Sequence, residues 1–544
     1  MKQLHSLSIS IGSKVCSITV LKVTTCLFVS TVLFGCQPRV NLDDTKPEVP
    51  EEEVVDETAV TFSADLRRPE TRAGITEDDL LASNKLISAK DMRIVFYSLN
   101  EGGKPDKVAY AFDREFLIYR GKATGEDLES FNFDDRKLKL KGKELLPIGD
   151  YAVIYFTTPS KAIKAATELG KEYGELMKAV SIEDITENGV LRYSIYSNIE
   201  NPLMVTKEEM QEAGAIDAFE IKPSDLKALN GLVYVTAEAN IEDEAYYIPK
   251  DRTIFLRATV TNKTLIPHPV YAKVMLKDGN EAKIPEDKNY DTTSLSESGL
   301  KEEFFYHETE STFEHNYNYI KFDGSTVDKA GADWAMPLQE NTVSHLSLTS
   351  KTVTQLLLCV PVYPVSLLEE IGETDKDISE QSWLRVAGKD YLEDPFMAKY
   401  TAAAAIDEED RNEEEQAIVE AGRELAKLNP QYKTPKEGDE PAVFTPDYSY
   451  HGTKVDFRHW GFSYYSVPIR HYENAVQPDP GKDGRYGVVR NTLYYYHITG
   501  FTTIGATEFA DLDRTTRHYD EETEAGLGTP TFTTPDYIGR TIHP

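Results

Sequence analysis

The chain has 544 residues, which predicts two to four domains because a single hydrophobic core rarely grows beyond about 300 residues. Hydrophobic residues make up 40% and aromatic residues 10%, a composition that excludes a wholly disordered protein. The net charge of −33 repels phosphate backbones and anionic headgroups, so we predict no nucleic-acid partner. The 31 Tyr and 22 Phe, with only 3 Trp, favour a β-rich fold.

Residues 1–35 have the pattern of an export signal. Three lysines precede an apolar run at residues 23–34, which is too short for a permanent membrane-spanning helix. The run ends in Leu33-Phe34-Gly35-Cys36, and a small residue before Cys resembles the site that the lipoprotein signal peptidase cuts. We therefore expect Cys36 to be the lipidated first residue of the mature chain. The alternatives are a plain secretory signal with an incidental Cys, or a buried strand.

A strand is predicted soon after this signal. Residues 37–56 are rich in Asp, Glu and Pro, as expected of a flexible spacer. Beyond them Val60, Phe62, Ala64 and Leu66 alternate with polar residues. This period of two predicts a half-buried strand that turns those four side chains towards the core.

The segment after this strand is typical of an exposed turn. Residues 67–74 contain arginines together with Pro and Gly. Arg68 is a poor site for a trypsin-like protease because Pro69 follows it. The bond between Arg72 and Ala73 has no such protection, and we predict that a protease of this kind cuts there.

Two helices and a series of strands are predicted in the rest of the chain. Apolar residues at helical spacing over residues 160–180 predict a helix packed on a sheet. A second helix is predicted at residues 407–429, with Ile418 and Leu425 on its apolar stripe, as an insertion lying on a sheet. The predicted strands are residues 92–97, 151–157, 231–237, 254–260, 270–275, 343–348, 353–362, 464–470 and 493–501.

The sequence contains no local pattern for catalysis. It has no G-x-S-x-G, no phosphate-binding glycine loop, no H-E-x-x-H and no CxxC pair. The nearest metal-like group is His307-Glu308 with Glu314-His315, whose spacing matches no zinc pattern. Cys359 lies in an apolar run and is expected to be a buried, inert thiol. We therefore predict no catalytic residue, no metal and no cofactor.

Several features occur in an order that resembles the fimbrillins, the stalk-subunit superfamily of the protease-dependent type V pili of Gram-negative anaerobes. The lipidation Cys, the acidic spacer, the alternating strand and an Arg-Ala pair come first. Later come Glu340-Asn341-Thr342 ahead of a strand, then YYSVPIRH at residues 464–471 and YGVVRNTLY at residues 486–494. The last segment is the most specific, and Gly487 and Asn491 in it suit a tight turn. The Mfa-type subunits of the minor fimbrium are the nearest group.

The resemblance implies a mainly β fold of two β-sandwich-like domains, the first with a packed helix and the second with an inserted helix. The implied divisions are a signal peptide at residues 1–35, a lipidated propeptide at 36–72, an N-terminal fimbrillin domain at 73–245, a C-terminal fimbrillin domain at 246–510 and a tail at 511–544, a candidate donor strand.

The resemblance also implies a route of assembly. A precursor lipidated at Cys36 reaches the outer membrane, where an arginine-specific protease cuts between Arg72 and Ala73. The strand at residues 59–66 is then removed, and subunits polymerise by donor-strand exchange. The implied partners are other copies of the chain or related fimbrial subunits, the protease and, before cleavage, the outer membrane. The mature protein is expected in fimbriae at the cell surface, contributing to adhesion.

The tail at residues 511–544 departs from the pattern of this family. Phe532, Ile538 and Ile542 share one parity, but Pro535 and Gly539 make the segment a poor strand. Two other functions therefore stay open. The first is a fimbrial tip or accessory adhesin lipoprotein that does not form the stalk. The second is an outer-membrane lipoprotein acting on glycans, which the low number of tryptophans disfavours.

Overall fold

The computed structural model of the chain consists mainly of β-strands arranged in several sheets, so the mainly β prediction is confirmed. The structure describes residues 56–67, 70–71, 87–119, 121–187, 190–214, 217–223, 225–237, 240–249, 253–258, 260–286, 305–307, 318–321, 336–342, 353–371, 381–428, 448–472, 478–479, 482–498, 500–501 and 504–507.

The first part of the chain forms sixteen short and long strands among the described residues, with two α-helices between them. The elements are β1 Glu57–Asp65, β2 Glu70–Thr71, β3 Ala89–Leu99, β4 Pro105–Tyr119, β5 Lys122–Thr124, β6 Leu128–Asn132, β7 Lys137–Leu140, β8 Glu144–Pro147, β9 Tyr151–Thr157, α1 Lys161–Ala166, β10 Val180–Ser181, β11 Thr186–Glu187, β12 Val190–Leu191, β13 Tyr196–Ser197, β14 Leu203–Val205, α2 Lys207–Gly214, β15 Phe219–Ile221 and β16 Lys227–Ala228.

Two sheets of this part enclose one hydrophobic core. Sheet one has the strand order β15-β1-β7-β6, with β8 also paired to β1. Sheet two has the order β16-β13-β9-β3-β4-β5, with β14 also paired to β9. Buried side chains from both sheets meet between them, as in a β-sandwich. Because β1 lies inside sheet one, its inward side chains belong to the centre of this core.

The outer face of sheet two is covered as well, and this explains why β9 is buried along its whole length. Its cover includes α1, where Ser160 accepts a hydrogen bond from the Ile163 amide at 3.1 Å and Ile163 is buried. The helix predicted over residues 160–180 is therefore too long. The chain leaves the helix at Thr167, turns through Gly170 at a φ of 79°, and continues as a 3₁₀ turn, Tyr173–Met177, and then β10.

The second part of the chain adds eighteen strands and three α-helices among the described residues. The elements are β17 Gly231–Ala237, β18 Tyr246–Tyr247, β19 Thr253–Ala258, β20 Val260–Asn262, β21 Thr264–Leu265, β22 Tyr271–Met275, β23 Glu281–Pro285, β24 Phe305–His307, β25 Asn318–Lys321, β26 Met336–Leu338, β27 Gln355–Pro361, β28 Tyr363–Pro364, α3 Val365–Ile371, β29 Trp383–Val386, β30 Lys389–Leu392, α4 Glu393–Ala404, α5 Glu413–Ala426, β31 Tyr450–His451, β32 Asp456–Arg458, β33 Phe462–Pro468 and β34 Thr492–Ile498.

Two further sheets enclose the core of this second part. Sheet three has the order β2-β34-β17-β26 and sheet four the order β25-β19-β27-β33. Buried residues of both sheets form one cluster between them. β17 runs parallel to β34, so it pairs with strands of the second part although it precedes residue 245. The division into domains at residues 245 and 246 stays a prediction.

The predicted inserted helix belongs to a helical pair on a small sheet. α5 begins after Asn412, whose side chain and that of Glu415 form a reciprocal capping box, and it buries Ile418 and Leu425. α4, which the sequence analysis did not predict, packs beside it, and a Cβ on Gly422 would lie 2.3 Å from the Tyr400 ring. Together they cover the sheet β30-β29-β32-β31. The helix predicted at residues 407–429 is thus shorter than expected.

Candidate functional site: the leader strand and the motif junction

The leader strand, β1, lies between neighbours on both sides. On one side it runs parallel to β15, with Val60 opposite Phe219. On the other side it runs antiparallel to β8 and then β7, with Val60 opposite Glu144 and Ala64 opposite Leu138. We call the gap that β1 fills between β15 and the pair β7 and β8 the leader groove. Removing β1 would leave unpaired backbone groups along both walls of this groove.

The structure places the inward face of the leader strand in the core. Val60, Phe62, Ala64 and Leu66 are 0, 1, 0 and 2% exposed. Thr58, on the same face, is buried too. These are the side chains that the period of two assigned to the core. The leader strand therefore completes the hydrophobic core of the first sandwich as well as its sheet.

Phe62 is the largest side chain on this face, and its surroundings are aromatic and cationic. Its ring centroid lies 6.3 Å from that of Phe96 and 5.7 Å from that of Phe112. The guanidinium carbon of Arg114 lies 5.5 Å from the Phe62 centroid, within the range of a cation–π contact. Arg114 also forms an ion pair with Glu144 of β8. Phe62 is therefore surrounded by two aromatic rings and by a guanidinium group that an ion pair keeps in position.

Polar contacts fix the register of the leader strand. Ser63 Oγ donates to Glu220 Oε1 at 2.7 Å, and Arg67 Nη1 donates to Asp225 Oδ2 at 2.8 Å. The Arg67 amide donates to the Leu226 carbonyl at 2.8 Å. The Arg67–Asp225 pair is well exposed, so it contributes little to stability and serves mainly to align the strand.

After the leader strand, the chain passes from the first sandwich to the sheets of the second part. β2 pairs in parallel with β34, with Glu70 opposite Thr492 and Thr71 opposite Leu493. The predicted cleavage site, Arg72-Ala73, follows directly and lies outside the described residues, as does Cys36. One cut at this site would therefore release a segment that pairs with sheet one and with sheet three.

The two most distinctive sequence motifs lie against each other. We call residues 340–342 with residues 486–494 the motif junction. The amides of Asn341 and Val488 donate to each other's carbonyls at 2.8 and 2.9 Å. Gly487 has a φ of 134°, and a Cβ there would lie 2.4 Å from the Asn341 carbonyl oxygen. The glycine is therefore required both by backbone conformation and by this close approach.

The motif junction also contacts residues of β16 and of the connections beside it. Asn491, at a φ of 52°, donates its amide to the Asn230 carbonyl at 3.0 Å and accepts from the Ala228 amide at 3.2 Å. Arg490 Nη1 lies 3.5 Å from Glu200 Oε1, which also accepts from Tyr271 Oη at 2.6 Å. Sequence reasoning missed Glu200 and Tyr271, because no local pattern marks either.

The electrostatics of Glu200 follow from these contacts. Burial raises its pKa, but the hydrogen bond from Tyr271 and the charges of Arg490 and Lys227 outweigh burial, so the pKa lies below its ordinary value. Glu200 is therefore held as a carboxylate between cationic partners. The motif junction is therefore an internal connection between distant segments of the chain.

The described part of the chain has neither a cluster of metal-binding side chains nor a helix that could cross a membrane. There, no group of three or more His, Cys, Asp or Glu residues could hold a metal ion. His307 is described as part of β24, whereas Glu308, Glu314 and His315 lie outside the described residues. None of the helices formed by described residues is long and apolar enough to cross a membrane.

Comparison with protein-family models relates one segment of the chain to a known family. Residues 458–533 match the family model described as major fimbrial subunit protein type IV, fimbrillin, C-terminal. This segment is similar to a fimbrillin C-terminal region. The expected resemblance to the fimbrillins is thereby confirmed, and the region contains β33, β34 and residues 486–494 of the motif junction. Among curated protein sequences, none matches the chain.

Solved structures show more distant similarity. The chain is similar to a candidate cell adhesion protein from Bacteroides eggerthii, with 8% identity, 89% of this chain and 96% of that chain covered and a TM-score of 0.33. A candidate cell adhesion protein from Parabacteroides distasonis has 7% identity and a TM-score of 0.34, with 89% of this chain and 99% of that chain covered. The tip fimbrial protein Mfa3 from Porphyromonas gingivalis, with C-terminal truncation, has 9% identity and a TM-score of 0.31. The comparison covers 89% of this chain and 100% of that chain. TM-scores this low carry no conclusion about function.

Proposed function

We propose that the protein is a structural subunit of cell-surface fimbriae, not an enzyme. In this proposal it is exported as a lipoprotein through Cys36, cut between Arg72 and Ala73, and polymerised by donor-strand exchange. The observation that carries the proposal is the interior position of the leader strand in sheet one. The fimbrillin C-terminal region supports the fimbrial setting. We place the subunit with the Mfa-type group of the minor fimbrium, at the outer membrane before cleavage.

The energetics of the leader groove support replacement of the leader strand by another strand. Val60, Phe62 and Leu66 are each fully buried, and burying such a side chain contributes about 1.5–3 kcal/mol. Their removal would therefore cost about 5–9 kcal/mol, which is comparable with the whole stability of a typical domain. An empty leader groove would be unstable as well as open at its edges. A strand of matching pattern from another subunit would relieve both effects.

Such replacement would produce a filament. The groove of one subunit and the donated strand of the next are different surfaces, so the contact is heterologous and need not close into a ring. The uncut leader strand would prevent assembly until the protein has met the protease. Peptide-bond cleavage in water is in practice irreversible, so assembly would then proceed in one direction. The leader strand would thus act as a temporary substitute for the partner strand.

Treatment with an arginine-specific protease tests this proposal. We expect the product to begin at Ala73 by N-terminal sequencing and to form a ladder of high-mass species on unheated denaturing gels. The variant Arg72→Gln should stay uncut and monomeric. The matched control Arg68→Gln should behave like the unchanged protein, since Pro69 already protects that bond. A protein that stays monomeric after quantitative release of the segment ending at Arg72 would contradict the stalk function.

A fimbrial tip or accessory adhesin is the second candidate, favoured by the tail. Pro535 and Gly539 interrupt the parity that Phe532 shares with Ile538 and Ile542, so the tail is a weak donor. A subunit that accepts a strand but donates none would end a filament. Mixing the cut protein with a peptide of residues 56–67 distinguishes the two, because an acceptor-only subunit binds the peptide but forms no ladder by itself.

A further inference from the structure

We infer that the leader groove selects its incoming strand by an aromatic side chain at the Phe62 position followed two residues later by a small side chain, and that Arg114 is the specificity-determining residue. This inference rests on the proposed function and names the chemistry of its partner: an extended segment of another subunit that carries an aromatic residue and then a small one on the same face.

The geometry of Arg114 is the first reason. Its guanidinium carbon lies 5.5 Å from the Phe62 centroid and 5.9 Å from that of Phe112. The side chain is 11% exposed and is held by the ion pair with Glu144 and by donation from Nη1 to the Asp113 carbonyl at 3.0 Å. Glu144 belongs to the wall of the leader groove, so this cation stays in place when the strand leaves. It then faces the vacant Phe62 site.

The bonding of Arg114 is the second reason why a ring fits this site best. In the described part of the chain its Nε is buried and has no hydrogen-bond partner. An aromatic face provides electron density for a cation that is only partly solvated, whereas an aliphatic side chain provides none. Leucine at this position would fill much of the volume but would leave Arg114 with the Phe112 ring as its one aromatic contact of the two. The site therefore distinguishes aromatic from aliphatic strands.

The site two residues further along the strand admits only a small side chain. Residues two apart in a strand share a face, so Ala64 lies next to Phe62 on the inward side. Ala64 is fully buried, opposite Leu138 of β7, and a larger residue in such a close-packed position would force neighbouring side chains apart. A large side chain followed two residues later by a small one thus fixes both the direction and the register in which a strand can enter the leader groove.

The same pair of residue types occurs a second time in the chain. The leader strand reads Thr61-Phe62-Ser63-Ala64, and the tail reads Thr531-Phe532-Thr533-Thr534. In both, a phenylalanine lies between hydroxyl residues, and the residue at the second position after it is smaller than leucine: Ala64 in the leader strand and Thr534 in the tail. The tail lies outside the described residues, so this similarity belongs to the sequence alone. The sequence pattern therefore occurs at a second place in the chain itself.

A peptide-exchange measurement tests the inference on the protein cut between Arg72 and Ala73, with the rest of the chain intact. A labelled peptide of residues 55–67 is added in excess, and binding is followed by fluorescence anisotropy. We expect the Phe62→Leu peptide to bind about tenfold more weakly, which corresponds to about 1.4 kcal/mol. The Ala64→Phe peptide should bind more weakly still. A peptide with pentafluorophenylalanine at position 62 keeps the ring shape but reverses its charge distribution, and it too should bind more weakly.

The protein variant Arg114→Met completes a double-mutant cycle. The difference in affinity between the unchanged peptide and the Phe62→Leu peptide should shrink to about twofold or less on this variant. Equal binding of the three position-62 peptides to the unchanged protein, or the same Phe-to-Leu difference on both proteins, would overturn the inference. The pentafluorophenylalanine result needs no protein variant, so the inference stays falsifiable if Arg114→Met fails to fold. Failure of the unchanged peptide to bind would instead overturn the proposed function, and the inference with it.

Discussion

Arg490 and Glu340, which are 150 residues apart in the sequence, form a two-pronged ion pair inside the motif junction. Arg490 Nη2 lies 2.6 Å from Glu340 Oε2, and Nε lies 3.0 Å from Oε1. The two side chains are 4% and 10% exposed. Arg490 also donates to the carbonyls of Ile266 and Pro267. One guanidinium therefore joins both family-like motifs to a third segment of the chain.

The variant Arg490→Met should be strongly destabilising. Removing one member of a buried ion pair typically costs about 3–5 kcal/mol, since the remaining charge stays buried without its partner. Glu340 would lose its bidentate partner, and two carbonyls would lose a donor. Urea unfolding followed by circular dichroism measures the loss. The control is Lys273→Met, which breaks the exposed pair with Glu281 at 2.7 Å and should change the free energy of unfolding far less. Similar losses in the two variants would contradict a structural role for Arg490.

Gly487→Ala should also destabilise the motif junction. A non-glycine residue in this backbone region stores about 1–3 kcal/mol, and the added Cβ would have to displace the Asn341 carbonyl, 2.4 Å away. We expect a total loss of about 2–4 kcal/mol in thermal or urea unfolding. Gly279→Ala is the matched control, because Gly279 also has a positive φ, 85°, but a Cβ there meets nothing within 4 Å. An equal loss at both positions would show that only backbone strain matters.

Stability should fall in acid partly through Glu200. Its pKa is lower in the folded protein than its ordinary value of 4.5, so folding favours the carboxylate. The contribution is present above the unfolded pKa and is lost as the pH falls through the folded pKa. The variant Glu200→Gln should therefore flatten the decline of the free energy of unfolding below about pH 5. Glu175→Gln, which removes an exposed pair with Lys178, is the control and should change the slope less. Identical slopes for the unchanged protein and Glu200→Gln would contradict this account.

The leader strand shows how much a local pattern can predict. Its period of two was sufficient to assign Val60, Phe62, Ala64 and Leu66 to one face, because side chains alternate along any strand. The pattern contains nothing about which strands pair with it. That β15 runs parallel to it while β7 and β8 run antiparallel depends on contacts that are formed far along the chain. Register and neighbours are tertiary properties, and they define the leader groove.

The helix predicted over residues 160–180 shows where a local pattern predicts the wrong length. Ile163 is buried in a helix, but Leu169 is 76% exposed, and the later apolar residues belong to a 3₁₀ turn and a strand. Gly170 supplies the positive φ that ends the regular pattern. Spacing alone could not separate these three elements. The motif junction was beyond prediction for a similar reason, since the contacts of Arg490 with Glu200 and Glu340 join segments that share no local signal.

Cys359 should be unreactive in the folded protein and should report on the sheet that contains it. Burial raises the pKa of its thiol well above the ordinary value, so the reactive thiolate is scarce, and β27 lies between β19 and β33. In a chain lacking residues 1–36, labelling with a thiol reagent at pH 8 should be at least about a thousandfold slower than in urea, because it requires local opening. Ser130→Cys adds an exposed thiol as a control that should react at once.

The Cys359 labelling rate should stay low after cleavage at Arg72, because the leader strand belongs to a different core. Fast labelling after cleavage would mean that loss of the leader opens sheet four as well, which would contradict independent cores.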